Sequence, residues 1–304
     1  MRFIIRRLII AIPVVFVVSF VVFGMVFLAG DPAVLMLPPE ATREDLEFFR
    51  EFHGYNDPFL VQYGRFVGNA LQGDWGRSLR YNRSALEMVI SRLPATLQLS
   101  GYSMLMATII SIPLGTIAAI KRNSVIDNFA SLIAVAGQAM PNYWLGFLLV
   151  IFFAVQLRLL PTSGGPGLRF AILPAATIAI QVTALITRIT RSSVLEVLGQ
   201  DYIRTARSKG LVEFLIMTRH VLRNALPPVI TVIALQFGYI LGGAVVIETI
   251  FAWPGLGLLT IQAIYMRDYP VVQASVLFLS ISFVLINLFV DVIHQFLDPR
   301  SEGV

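Results

Sequence analysis

The chain has 304 residues, a formal charge of +5, 57% hydrophobic residues and a mean hydropathy of +0.77, which excludes an ordinary soluble domain and points to a membrane protein. It has no cysteine, which excludes disulfides and thiolate metal sites. The three histidines, His53, His220 and His294, lie far apart in sequence and read as interfacial or hydrogen-bonded residues; no metal site is expected.

A bilayer core of roughly 30 Å needs about 20 mostly apolar residues per helix, and six stretches qualify. The first, Leu8–Ala29, follows Arg2, Arg6 and Arg7. It is too long for the apolar region of a signal peptide and lacks a small-x-small cleavage site, so residues 1–29 read as a tail and a retained span. Residues 30–93 are polar, with nine acidic against seven basic residues, and read as an extracytoplasmic segment. A short helix is expected there over Arg43–Phe52, capped by Thr42.

The second span runs from about Leu97 to Ile120 and stops at Lys121–Asn123. The third covers about Phe129 to Val155, with a kink expected near Met140 because Pro141 removes a backbone hydrogen bond. The fourth runs from about Leu173 to Ile189, the fifth from about Pro228 to Ile250 and the sixth from about Val271 to Leu297. Residues 94–297 thus form a five-helix core with a loop at 192–226, and 298–304 a tail.

The basic residues flank the spans, which argues against nucleic acid as the reason for the positive charge. With the N-terminus inside, the cytoplasmic side carries thirteen Lys and Arg; the outer side, with the long 30–93 segment set aside, carries three. Both termini are therefore expected in the cytoplasm. The fold class is all-α integral membrane.

The stretch "DYIRTARSKG" (201–210) concentrates Asp201, Arg204, Arg207 and Lys209 between apolar runs. At the bilayer centre each of these charges costs about 3 kcal/mol, so the stretch belongs in the loop between spans four and five. Ile203, Ala206 and Gly210 fall on one helical face and Arg204, Arg207 and Ser208 on another. A face of small residues lets another backbone approach closely, while the arginines reach acidic or carbonyl groups. Gly210 suits a left-handed cap ending a first short helix, with a second helical run over Val212–Leu222. Two readings compete: a protein-docking helix, or an amphipathic helix lying on anionic headgroups. Ala and Gly in place of bulky apolar residues favour the first.

"DYIRTARSKG…RHVLRNAL" resembles the cytoplasmic coupling loop of the permease subunits of ATP-binding-cassette importers, specifically their dipeptide/oligopeptide branch. Ala206, Gly210 and Leu222 match the general form of that loop; its leading Glu, its Ile and its Pro are absent. "QGDWGRSL" (72–79), "RLPATLQL" (92–99), "ALQFGYILGGAVVIETIFAWPGLG" (234–257), "MRDYPVVQA" (266–274) and "LDPR" (297–300) resemble the same branch in the same order, over essentially the full length.

The resemblance implies a type I importer permease fold in a bacterial cytoplasmic (inner) membrane. It implies pairing with a second homologous permease around a translocation path, two ATP-binding subunits on the coupling loops and an extracytoplasmic solute-binding protein delivering peptide. ATP and Mg would be bound by the ATPases, since this chain has no G-x-x-x-x-G-K-[ST] phosphate loop; it needs no cofactor of its own and is not an enzyme. The implied docking residues are Asp201, Tyr202, Arg204, Thr205, Ala206, Arg207, Lys209, Gly210 and Arg219.

Path or gate candidates are Gln236, Gly238, Gly242, Glu248 and Trp253. Gly238 and Gly242 form either a helix seam or part of the path. Glu248 is either a gate contact or a salt-bridge partner of a neighbouring loop. The turn "FAWPGLG" leads to a short helix over Leu258–Met266, as an outer gate or a packing element. Nickel, glutathione or another small solute remains an alternative cargo. A proton- or sodium-driven transporter would need a midplane carboxylate, and an intramembrane enzyme a catalytic constellation; the spans offer neither clearly.

Overall fold

The computed structural model describes residues 2–28, 30, 33, 34, 37, 40–164 and 167–297. The expected tail at 298–304, the end of "LDPR" and Ala29 lie outside these residues. Helices dominate, with no β-strand among the described residues beyond an isolated bridge between Arg77 and Ser84. Two compact units divide the chain: Met1–Thr96 with Pro254–Leu285, and Leu97–Trp253 with Ile286–Val304.

The first unit begins with α1 (Arg2–Leu28), followed by α2 (Arg43–His53) and α3 (Phe59–Leu71). The expected Thr42 cap is present as a full capping box: Thr42 Oγ1 accepts from the Asp45 N–H at 3.2 Å, and the Asp45 carboxylate accepts from the Thr42 N–H at 2.9 Å. The helix stops at Gly54, whose φ of 68° is the left-handed conformation that a glycine adopts without a Cβ penalty. The unit also holds the start of α4 (Ala85–Ile120), α11 (Leu256–Tyr265) and most of α12 (Tyr269–Leu297). Its core joins Ala85 and Val89 of α4, Leu256, Leu259 and Ala263 of α11, and Val271 and Ala274 of α12. The expected short helix after "FAWPGLG" is α11, two residues earlier than read.

Two motifs separated by about 190 residues meet in this unit. Buried Asp268 accepts a hydrogen bond from the Ser78 hydroxyl and another from the Leu79 N–H at 3.0 Å. Leu256 N–H donates to Thr96 Oγ1 at 2.8 Å, satisfying a donor at the start of α11.

The second unit contains the rest of α4, then α5 (Val125–Ala139), α6 (Asn142–Leu149) and α7 (Leu168–Leu198). It continues with α8 (Asp201–Ser208), α9 (Glu213–Gly243) and α10 (Val245–Ile250). Helix α7 is its hub: 61% of its most apolar stretch is buried, and α5, α6, α9 and α10 pack on it. Helix α4 approaches it closely at Gly115, where a Cβ would stand 2.6 Å from the Thr187 carbonyl oxygen. No other residue type fits there without backbone movement.

Three expectations are revised. The kink near Met140 is a complete break: Met140 and Pro141 are extended, with ψ of 130° and 137°, because a residue before proline is driven out of the helical region. The Met140 carbonyl freed by the break accepts from Gln181 Nε2 of α7 at 2.7 Å. Beyond α6 the helix continues in π register over Val150–Gln156.

The run 212–222 is not a separate helix. It is continuous with the fifth span as α9, through a π-helical stretch over Ile216–Leu222 and past Pro227 and Pro228. Side chains serve carbonyls near these irregularities: Asn224 Nδ2 donates to His220 O at 2.7 Å and Thr231 Oγ1 to Pro227 O at 3.2 Å. The fifth span also ends sooner, at Gly243, with α10 following.

Among the described residues four helices are long and apolar enough to cross a membrane: Ala85–Ile120, Leu168–Leu198, Glu213–Gly243 and the described part of α12, Tyr269–Val290. Ile12–Leu28, Asn142–Gln156 and Leu256–Tyr265 are shorter apolar helices.

Candidate functional site

The charged stretch folds into α8 at the end of the hub helix α7. Its apolar side points inward. Ile203 is fully buried and Ala206 7% exposed, in one cluster with Ala119 of α4, Val194 of α7 and Ile216, Met217, Val221 and Ala225 of α9. Two of the three residues on the small face expected to receive another protein, Ile203 and Ala206, therefore seat α8 on its own unit, while Gly210 stands clear of that cluster. Helical spacing defined the stripe but not which side of the helix is inside.

The opposite side is open. Asp201, Tyr202, Arg204, Thr205, Ser208, Lys209 and Gly210 are exposed, as is Arg219 on α9. Arg204 stands 3.7 Å from Asp201 across one helical turn, a contact too exposed to hold either firmly. Gly210 ends the helix with φ of 75°, the expected left-handed cap, and nothing lies within 4 Å of where its Cβ would be.

Across that turn, Arg207 grips Glu213 with two bonds, Nη2 to Oε1 at 2.6 Å and Nε to Oε2 at 3.2 Å. The Glu213 carboxylate holds the Arg207 guanidinium above its usual range, and Arg207 in turn draws Glu213 below the usual carboxylate range. Glu213 stands well before the apolar run that begins near Pro228. Asn224 Nδ2 adds a hydrogen bond to the Tyr202 hydroxyl at 3.1 Å. Together these contacts fix α8 on the start of α9.

Two features escaped the sequence reading. Val212 and Phe214, 67% and 78% exposed, put apolar surface beside the charges of α8; both stand in the mostly apolar run 211–217, whose composition does not separate them from the buried Ile216 and Met217. Below α8, Arg191 of α7 holds Asp127 at the start of α5 with bonds of 2.6 and 2.7 Å. The Asp127 carboxylate is 4% exposed and also accepts from the Asn123 N–H at 2.9 Å. This clamp ties the α4–α5 turn to the last turns of α7, three residues before Val194 of the α8 cluster.

The path candidates do not form one surface. Gly238 is buried against the C-terminal part of α12, where a Cβ would lie 3.2 Å from Ile286 Cγ2, so it is a packing seam. Gly242 is exposed with open space beside it, and Gln236 is half-buried. Glu248 is fully buried on α10 and Trp253 is 5% exposed. The Trp253 N–H donates to Glu248 O at 2.8 Å, and Gly164 N–H to Phe251 O at 2.8 Å. In the first unit a cavity of about 400 Å³ lies among Phe23, Phe27, Arg50, Tyr55, Tyr269 and Gln273.

Residues 111–303 match the family model for the binding-protein-dependent transport system inner membrane component, and residues 1–100 match the model for the N-terminal part of such components. The chain belongs to this family. It is an inner-membrane, multi-pass permease of the peptide/oligopeptide type of ATP-binding-cassette importer, a transport protein rather than a catalytic enzyme.

The permease is 43% identical over 300 residues to the glutathione transport system permease protein GsiC of Escherichia coli K12, covering 98% of each chain. The GsiC of Shigella dysenteriae serotype 1 matches to the same extent. Among solved structures, the inward-facing MetNI methionine ABC transporter superposes with a TM-score of 0.59 at 20% identity, over 69% of the permease and 96% of that chain. An amino acid ABC transporter with histidines gives 0.56 at 15%, over 69% and 94%. These likenesses establish the all-helical importer permease fold.

Proposed function

We propose that the permease forms half of a translocation path with a second homologous permease and imports short peptides, glutathione being the cargo that the relatives favour. Glutathione is itself a short peptide, so the two readings describe one chemical class. In this reading the chain crosses the membrane six times with both termini in the cytoplasm. Two ATP-binding subunits dock on α8, and an extracytoplasmic binding protein delivers solute. ATP and Mg are bound by those partners.

The observation that carries the reading is the two-sidedness of α8. Its apolar face is locked into the core that holds α4, α7 and α9, while Tyr202, Arg204, Thr205 and Lys209 face outward beside Val212 and Phe214. A short helix so seated transmits a push on its outer face to three long helices as a rigid body. An apolar patch rimmed by cations is also the composition of a protein-docking surface.

The test is uptake by vesicles holding the complete transporter and its binding protein, supplied in turn with glutathione, a dipeptide, a tetrapeptide and Ni²⁺. ATP-dependent accumulation of glutathione or the peptides is expected. Accumulation of Ni²⁺ alone would remove the peptide reading, and accumulation without nucleotide would remove the ATPase coupling.

A further inference from the structure

We infer that α3 is an interfacial membrane helix, packed across α1 with one side in contact with the acyl chains of the leaflet at the C-terminal end of α1. The segment 30–93 reads from sequence as polar and extracytoplasmic, yet only Gln62, Arg65 and Asn69 among the thirteen residues of α3 carry a polar or charged head beyond the Tyr63 hydroxyl. These three fall on one narrow stripe, at i, i+3 and i+7. A helix lying on a protein surface in water shows a polar face much wider than this.

The depth of α3 comes from its contacts with α1. Phe59 packs its ring 5.3 Å from Phe20, 5.5 Å from Phe23 and 5.2 Å from Phe27. The Tyr63 hydroxyl shares a 2.8 Å hydrogen bond with Ser19 Oγ. Exposed apolar side chains run along α1 from Ile9 to Leu28, about 30 Å of helix and thus the thickness of the hydrocarbon core. Phe23, at the centre of the contact, lies five residues, or about 8 Å, inside the end of that apolar surface. That is the depth at which amphipathic helices rest in a leaflet.

The sides of α3 are divided accordingly. Phe59 and Tyr63 face α1. The polar stripe is served by the chain itself: Gln62 Nε2 donates to Tyr55 O and Asp57 O at 2.9 and 2.8 Å, and Arg65 pairs with Asp57 at 2.5 Å. The remaining side, Leu60, Gly64, Val67 and Leu71, follows the helical repeat. Leu60 is 69% and Leu71 84% exposed, and nothing lies within 4 Å of a Cβ at Gly64. The inference rests on the six-span reading proposed above, in which the exposed apolar side of α1 faces lipid; this stripe of α3 is an apolar surface of the same kind, and lipid is the partner its chemistry fits.

The absence of cysteine from this chain makes a direct test available once the partner subunits are made cysteine-free. Leu60→Cys, Leu71→Cys and Asn69→Cys are each spin-labelled in the complete transporter, reconstituted in phosphatidylethanolamine/phosphatidylglycerol vesicles. Retained uptake certifies the fold of each variant, and either leucine position suffices should the other fail. Molecular oxygen is expected to relax labels at 60 and 71 severalfold more than a water-soluble nickel chelate does, with the ratio reversed or lower at 69. Greater relaxation by the chelate at 60 and 71 would place the stripe in water, and protection from both reagents would place it under a protein subunit. Either result overturns the inference.

Discussion

Arg207 and Glu213 meet in a two-bond ion pair across the Gly210 turn, joining the end of α8 to the beginning of α9. Both side chains are substantially exposed, so the pair contributes only about 0.2–1 kcal/mol to stability. Its larger effect is on orientation, because a planar guanidinium held at two points fixes the angle between two helices. Reversal by Arg207→Glu is expected to leave the protein folded and inserted but to weaken recovery of the ATPases in a pull-down and to lower uptake several-fold. The double variant Arg207→Glu with Glu213→Arg should recover much of both. Unchanged stoichiometry in the single variant would return α8 to the lipid-headgroup reading.

The same pair sets a pH expectation. Glu213 is held below its ordinary range by Arg207. A carboxylate lowered in the folded state contributes stability above its unfolded value of about 4.3 and loses it as pH falls through the lower folded value. Docking strength governed by this pair should therefore be flat between about pH 6 and 8. Affinity of the purified ATPases for the permease, measured across that range, checks it; a steep change near neutrality would point to another group.

Gly210 separates two effects that a single substitution confuses. Its φ of 75° strains any L side chain, although the surrounding space is open. Gly210→Asn should be tolerated best, since Asn adopts the left-handed region, whereas Gly210→Ala costs about 1 kcal/mol. Gly210→Trp adds bulk on the outward side and should leave ATP hydrolysis running with uptake lost. Normal uptake by the Trp variant in reconstituted vesicles would falsify docking at this turn.

Local features were legible in the sequence, and tertiary ones were not. The α2 cap at Thr42, the turn at Gly210 and the helix after "FAWPGLG" follow from side chains acting on backbone within a few residues. The break at Met140 was read only as a kink, because Pro141 announces a lost hydrogen bond but not that Gln181 of α7 waits to take the freed carbonyl. Helix α3 was hidden by its surroundings: the charges of 30–93 masked a thirteen-residue run with only three polar heads. Arg191 with Asp127, and Ser78 with Asp268, are joined by folding across 64 and 190 residues, and no spacing rule reaches that far in one sequence.

The clamp beneath α8 should be a stability element. Removing the cation by Arg191→Met strands a buried carboxylate, which costs about 3–5 kcal/mol when burial is complete and somewhat less here, since Arg191 is 29% exposed. Asp127→Leu added to it removes the stranded charge and should restore most of the loss. Thermal unfolding of the purified permease in detergent reads both. A single variant as stable as the parent would mean that the contacts of α7 with α5, and not this pair, hold the α4–α5 turn.

Asp268 is expected to hold the turn carrying the "WGRSL" motif in place. It accepts from the Ser78 hydroxyl and the Leu79 N–H while only 1% exposed, so Asp268→Ala leaves two donors without their partner at about 1–3 kcal/mol each. Ser78→Ala removes one donor and should cost less. The turn displays Arg77, Arg80 and Arg83 at the surface, which makes trypsin a local probe. In detergent-solubilised permease, Asp268→Ala should speed cleavage at these three arginines several-fold, with cleavage elsewhere little changed. At trypsin concentrations low enough that the turn recloses faster than it is cut, the rate reports the population of the open form. Cleavage at the parental rate would show that the core of α4, α11 and α12 keeps the turn closed without the carboxylate.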